Sequence, residues 1–310
     1  MRDRQGLTDL LWIAVGTLLL VVVTLLALHF YRQGGLATQE TLRARQLGLV
    51  VGMRAELASA TEAEKSAVMA VTDQESQVFA DQARAAAVRV VQRRDELTAL
   101  LAPEGSREER ELLAEFSRAF AECQRIDHKL LDLAVRNTNL KAAALAYGPA
   151  AAALASMDSA LARIMTESAN ASVPTAKQAL LLAARVNGAA RRIQALLPSH
   201  IAEESDPQMA AFEAAMARDD QTVRADLKAL AALLGQGSSE LQAARSDYAR
   251  FSDLRRQILA LSRENTNVKS LTLSLNGKRR TVQVCQEALA ALEKAILAEP
   301  PATRPLVKPR

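Results

Sequence analysis

The stretches RNTNLKAAALAY (residues 136–147) and RENTNVKSLTLS (residues 263–274) write Asn-Thr-Asn-x-Lys twice in one chain, the second copy 128 positions after the first. Three small polar residues between two apolar-periodic stretches read as a turn, and the same turn in the same context twice reads as a duplicated module. Laid on each other at that offset, Phe120 meets Tyr248, Leu131 meets Leu259, Leu133 meets Leu261 and Leu145 meets Leu273. The flanking stretches carry apolar residues at alternating three- and four-residue steps, the stripe of an amphipathic helix. The repeated turn therefore joins helices, and the fold follows from how many helices precede and follow it.

Composition agrees. Apolar residues make up 49% of the 310 residues but aromatics only 3%, and Ala and Leu dominate. Strands draw on Val, Ile, Thr and aromatics in alternation, so the chain reads as all-α. The net charge of +4 is small for this length and its basic residues are interleaved with acidic ones, which argues against a nucleic-acid partner. Cys123 and Cys285 lie on apolar helical faces and read as small core residues, a single bridge between them being the alternative. His29, His128 and His200 are far apart with no partner at metal-ligand spacing, so neither metal nor cofactor is expected. Without a nucleophile beside a base, a phosphate loop or paired catalytic carboxylates, no catalytic residue and no enzymatic activity are expected.

Leu10 to Leu28, LLWIAVGTLLLVVVTLLAL, is a run of 19 residues without a charge. At about 1.5 Å per residue that run spans the hydrocarbon of a bilayer. It ends in His29, Phe30, Tyr31 and Arg32, an interfacial anchor in place of a small-residue cleavage pattern. An uncleaved signal anchor is expected over 10–31, behind a short N-terminus at 1–9. Arg2 and Arg4 before the span are matched by Arg32, Arg43 and Arg45 after it, so charge leaves the orientation open.

Beyond Gly34-Gly35, seams run through Val50, Met53 and Leu57, then Phe79, Ala83, Ala86 and Val90, then Leu112, Phe116, Ala119, Cys123 and Ile126, then Leu154, Met157, Leu161 and Ile164. The second half repeats the scheme from 174 onward, with Asp206-Pro207 and GQGSS as its breaks and Val282, Cys285, Leu289 and Leu292 on its last helix. Short links between antiparallel amphipathic helices lead to up-down bundles. The expected architecture is one N-terminal transmembrane helix followed by two tandem four-helix bundles, 36–172 and 173–298, with a Pro-rich basic tail at 299–310. In NASVPTA (170–176), Pro174 either starts a helix after a turn or kinks a continuous one.

The segment from REERELLAEF through the first Asn-Thr-Asn to ALASMDSALARI resembles the last two helices of the four-helix-bundle sensor domain of bacterial methyl-accepting chemotaxis receptors. The shared features are an acidic-basic helix start, a mid-helix aromatic, a Leu-rich end, a short polar turn and an Ala/Leu opening to the final helix. The tandem arrangement looks like the two-module helical sensor domains of some chemoreceptors. The resemblance implies a bacterial inner-membrane protein with a single pass, a cytoplasmic N-terminus and a periplasmic body, acting as a homodimer. Such receptors carry a second span and a cytoplasmic signalling hairpin, which are not found before the tail EPPATRPLVKPR. The expectation is then a module that binds a small anion or a periplasmic binding protein and modulates a signalling partner. The alternative is a membrane-tethered scaffold or spacer that organises an envelope complex.

Candidate ligand-binding residues follow from charge at special places. Thr138 or Asn139, and Thr266 or Asn267, can cap the exposed amides of the following helix. Lys141 and Lys269 stand in the first turn of those helices, where a cation opposes the helix dipole and a small carboxylate or a nearby Glu would compensate it. Glu64, Arg93 or Arg94, and Lys278 interrupt apolar seams and mark either a polar pocket or a wet layer. Arg185, Arg191 and Arg192 form a solvated face or, by the resemblance, carboxylate ligands.

Overall fold

The computed structural model describes the backbone of residues 3–298 apart from 172 and 236, and the side chains of 20–26, 28–29 and 40–298 apart from 104, 172 and 236. The tail at 299–310 lies outside the described residues, as do most side chains of the expected membrane span at 10–31. The described residues form helices joined by short turns: α1 (Asp3–Met69), α2 (Asp73–Glu104), α3 (Arg107–Ala134), α4 (Thr138–Leu145), a π-helical turn π1 (Ala146–Ala150), α5 (Ala151–Asn170), α6 (Pro174–Ala202), α7 (Asp206–Leu234), α8 (Ser239–Glu264), α9 (Thr266–Thr272), a second π-helical turn π2 (Leu273–Lys278) and α10 (Arg279–Ala298). The all-α reading holds. Among the described residues no helix is long and apolar enough to cross a membrane.

Local chemistry sets the boundaries. Ser106 and Glu109 form a reciprocal capping box at the start of α3, Glu109 N donating to Ser106 Oγ at 3.2 Å and Ser106 N to Glu109 Oε2 at 2.7 Å. Thr72 caps α2 by accepting from Glu75 N at 3.1 Å, and Ser238 caps α8 by accepting from Leu241 N at 3.2 Å. Pro174 starts α6 after an extended Val173, so the open question at NASVPTA resolves to a turn between two helices.

The helices divide into two compact units, each drawn from separate stretches: Met1–Ser59, Ala85–Ala121 and Thr281–Arg310 form the first, Ala60–Arg84 and Glu122–Arg280 the second. The sequence reading divides the helical body at 172/173, whereas the first unit takes residues from Thr281 onward together with N-terminal segments. In the first unit Val50, Met53, Val90, Leu97, Phe116, Phe120, Cys285 and Leu289 are buried, and Phe116 stacks on Phe120 with centroids 5.5 Å apart. Arg54 pairs with Glu293 at 2.5 Å and Arg45 with Glu96 at 2.6 Å, joining α1 to α10 and to α2. At Gly52 an added Cβ would stand 2.6 Å from Arg93 Nη1, so this glycine makes room for the Arg93 side chain.

In the second unit α6 packs on α7 and α5, and α5 on α8. Leu154, Met157 and Leu161 of α5, Val186, Ala190 and Ile193 of α6, Val223 and Leu230 of α7, and Ala244, Phe251 and Ile258 of α8 fill its interior. The alanines among them let the helices approach closely. A smaller cluster gathers Ala63 and Ala67 of α1, Ala80 and Ala83 of α2, and Leu130 and Leu131 of α3. Cys123 and Cys285 are both buried, and no disulfide joins them.

Candidate functional site

The two Asn-Thr-Asn turns meet each other. Asn137 (φ 48°) and Asn265 (φ 54°) are the described non-glycine residues with positive φ. Asparagine tolerates this left-handed geometry better than other side chains, and at both places it ends one helix so that the next restarts at threonine. Neither new helix is capped by its own side chains. Each is capped by the other copy instead. Thr138 N donates to Thr266 Oγ1 and Thr266 N to Thr138 Oγ1, both at 3.2 Å; Asn139 N donates to Asn267 Oδ1 and Asn267 N to Asn139 Oδ1, both at 3.1 Å. The capping expected within each turn is thus exchanged between turns, and the pairing explains why both copies keep the same three residues.

The asparagine amides extend this knot. Asn139 Nδ2 donates to Asn265 Oδ1 at 2.7 Å and to Ile201 O at 2.6 Å, while Asn267 Nδ2 donates to Asn137 Oδ1 at 2.8 Å. Asn265 Nδ2 reaches Glu203 O at 2.7 Å and Asn137 Nδ2 reaches Ser76 Oγ at 2.9 Å, which ties the turns to the end of α6 and the start of α2. His200, fully buried near the same end of α6, lies 2.8 Å from Ser262 Oγ and 2.9 Å from Glu213 Oε1. Hydrogen bonding from Arg263 holds the Glu213 carboxyl below its usual range, with His200 adding to it against burial.

Lys141 and Lys269 serve this frame from outside. Lys141 Nζ donates to Arg136 O and Lys269 Nζ to Glu264 O, each at 2.9 Å. Each lysine therefore leaves the start of its own helix and neutralises the carbonyl end of the helix before it, where a cation is favoured. Lys141 also pairs with Asp73 at 2.6 Å, and Arg136 with Glu264 at 2.5 Å. Of the sequence-derived candidates, Asn139, Asn267, Lys141 and Lys269 come together here, and protein groups occupy their polar atoms.

Arg191, Arg192 and Lys278 stand elsewhere in the second unit. Arg191 pairs with Asp158 and donates to Gln194 Oε1 at 2.7 Å; Arg192 pairs with Asp219 at 2.7 Å. Lys278 ends π2 and is 2% exposed, its Nζ lying 2.9 Å from Glu64 Oε2 and 2.5 Å from Asp127 Oδ1. Burial works against its charge, but Asp127 and Glu64 outweigh that and raise its pKa above the ordinary lysine value. Two of the seam-breaking charges, Glu64 and Lys278, are thus partners across 214 positions (278 − 64).

A further cluster carries a buried polar atom without a hydrogen-bond partner. Asp220 of α7 accepts from Tyr248 Oη at 2.6 Å, Arg224 Nε at 2.8 Å and Arg255 Nη2 at 3.1 Å. Arg224 also donates to Ser252 Oγ at 3.0 Å and its guanidinium lies 5.9 Å from the Tyr248 ring centroid. Burial opposes ionisation of Asp220, yet Arg224, Tyr248 and Arg255 together hold its carboxyl below the usual range. Burial first, and then Asp220, push the Tyr248 hydroxyl up, so it remains a donor. Two guanidinium groups face one carboxylate (2 − 1 = +1), and Arg255 Nη1 is buried without a hydrogen-bond partner.

Sequence reading passed over this cluster, although a signal is present. Tyr248, Ser252 and Arg255 lie at i, i+4 and i+7 on one stripe of α8, and Asp220 and Arg224 at i and i+4 on α7. A cleft of about 360 Å³ at another part of this unit is lined by Ile164, Ser168, Thr175, Leu233, Ser238 and Glu240 among others, with no basic residue in its wall. Among the described residues no group of His, Cys, Asp and Glu side chains is placed to hold a metal ion.

The chain matches no family model and no curated protein.

Proposed function

We propose that the protein is a non-catalytic sensory module, tethered to the membrane by residues 10–31 and similar to chemoreceptor sensor bundles, that binds a small carboxylate or related anion and passes its state to a signalling partner. The observation that carries this reading is Arg255. A buried guanidinium nitrogen without an acceptor is costly, and a carboxylate is the ligand whose oxygens match its donors. The surplus positive charge over Asp220 favours an anion over a neutral molecule. Tyr248 and Ser252 belong to the same cluster, bonded to Asp220 and Arg224. The tether is supported by Leu20, Val21, Val22, Val23, Leu25, Leu26 and Leu28 of α1, all exposed. So long an apolar surface calls for a cover, and a bilayer supplies one. A cytoplasmic N-terminus with a periplasmic body, and a homodimer, belong to the same proposal.

Thermal unfolding of the full chain in detergent micelles, with acetate, malate, succinate and nitrate added in turn, tests it. An anion at a hundred times its dissociation constant stabilises the fold by about 2.7 kcal/mol. The expected result is a raised Tm that Arg255→Met abolishes and Lys141→Ala leaves intact. Flat melts for every anion would overturn it.

A second reading, a membrane-tethered scaffold, draws on a different observation: Asn139, Lys141, Asn267, Lys269, Arg191 and Arg192 are all engaged by protein groups. Crosslinking in membranes that recovers a stoichiometric envelope partner, together with flat melts, would favour it.

A further inference from the structure

The charges beneath π2 do not balance. Glu64 and Lys278 are 1% and 2% exposed, and the side chain of Asp127 is 17% exposed, so two carboxylates share one ammonium (1 − 2 = −1). Lys278 is paired to one oxygen of each, while Glu64 Oε1 is buried with no donor. A surplus charge in so dry a place costs enough that a carboxylate takes up a proton instead. Of the two acids Asp127 is the one at the edge of solvent, where a proton can be exchanged. Among the described residues, the charged and titratable groups facing Asp127 are Glu64 of α1, Lys278 of π2 and the Cys123 thiol of its own helix, whose Sγ lies 3.9 Å from Oδ2.

We propose that Glu64, Asp127 and Lys278 form a proton-binding site of the second unit, with Asp127 holding the proton at neutral pH and releasing it as the surroundings turn alkaline. Protonated, the cluster is one ammonium and one carboxylate, which is neutral. Deprotonated, it leaves a net negative charge under a π-helical turn, a geometry rare in proteins and concentrated at functional sites. Burial is the chief influence on the Asp127 carboxyl and pushes it up; Glu64 acts in the same sense, while Lys278 and Cys123 act against it. With the native pKa above the unfolded one, the stabilisation is fully present in acid and is lost as pH rises through the native value. Asp220 and Glu213 have the opposite sign, their contribution being lost as pH falls. The site does not depend on the anion reading. Absence of anion binding at Arg255 would leave it standing.

Infrared spectra and thermal melts of the full chain in detergent micelles, across a pH series, test it on wild type, Asp127→Asn and Glu64→Gln. Wild type is expected to show the C=O stretch of a protonated carboxyl at neutral pH, fading as pH rises. Asp127→Asn removes that band directly. Glu64→Gln removes it by balancing Lys278 against an ionised Asp127, which keeps the inference testable if the first variant fails to fold. Asp127→Asn should also melt higher than wild type at alkaline pH, with the gap closing in acid. Absence of the band in wild type, its persistence in either variant, or an Asp127→Asn protein that melts lower at every pH would overturn the proposal.

Discussion

Asp127 of α3 and Arg255 of α8 occupy equivalent positions in the two copies of the repeat, 128 residues apart (255 − 127). The surroundings that grew around them carry opposite charge. Asp127 joins Glu64 around a single ammonium, two acids to one base, and its carboxyl is pushed up. Arg255 joins Arg224 around a single carboxylate, two bases to one acid, and the Asp220 carboxyl is held down. The backbone around both is the same: an Asn in left-handed geometry, a Thr-Asn helix start and, a few residues on, a π-helical turn at 146–150 or 273–278. The two copies thus share the turn that shapes the chain and differ in the sign of the surplus buried charge. The turn needs all of its hydrogen-bond partners at once, whereas a buried charge needs only some counter-charge within reach.

Lys278→Met attacks the acidic cluster at its one base. It leaves the ionised carboxylate of the pair buried without a cation and is expected to cost about 3–5 kcal/mol in urea unfolding. Adding Glu64→Gln and Asp127→Asn should restore part of that loss; no restoration would mean that packing, not charge, is at stake.

The knot between the copies should be unequal in strength. Asn139→Ala strands Asn267 N, Asn265 Oδ1 and Ile201 O, whereas Asn267→Ala strands Asn139 N and Asn137 Oδ1. Each buried group left unpaired costs about 1–3 kcal/mol. Paired denaturation curves should therefore place Asn139→Ala below Asn267→Ala, and equal curves would argue against the asymmetry.

Arg255→Met sharpens the contrast in pH. Removing one donor lets the Asp220 carboxyl rise towards its ordinary value, and the contribution lost on acidification then disappears at a higher pH than in wild type. A loss of about 1.5 kcal/mol at neutral pH is expected from a hydrogen bond to a charged partner. Melts in an acid series would show the shift, and an unmoved acid limb would remove Arg255 from the causes of Asp220's ionisation. Lys141→Ala has the smallest effect. The side chain is 46% exposed, its contacts are on the surface, and about 0.5 kcal/mol or less is expected.

Much of this was legible in residues alone. The all-α fold, the repeat at offset 128, and Glu64 and Lys278 as charges on apolar seams follow from periodicity, because helix faces are written in local spacing. What spacing does not contain is which distant groups meet. Asn139 and Asn267 each look like a local cap, and only the tertiary arrangement shows that each caps the other's helix. Lys141 and Lys269 look misplaced against a helix dipole until the carbonyls of Arg136 and Glu264 come into view five residues back. Arg255 was missed because one arginine on a polar-rich helix resembles any solvated face, and its burial depends on Asp220 from another helix.

The bonds between Thr138 and Thr266, and between Asn139 and Asn267, run identically in both directions. Such reciprocity is the mark of an isologous contact, the kind that two identical subunits make across a two-fold axis. Here the axis passes through one chain. A half-length chain carrying a single Asn-Thr-Asn would have its helix amides capped in this way only by pairing with another molecule, so association and folding would be one concentration-dependent event. With both turns in one chain that encounter is intramolecular, and the two halves need not match each other, as Asp127 and Arg255 show.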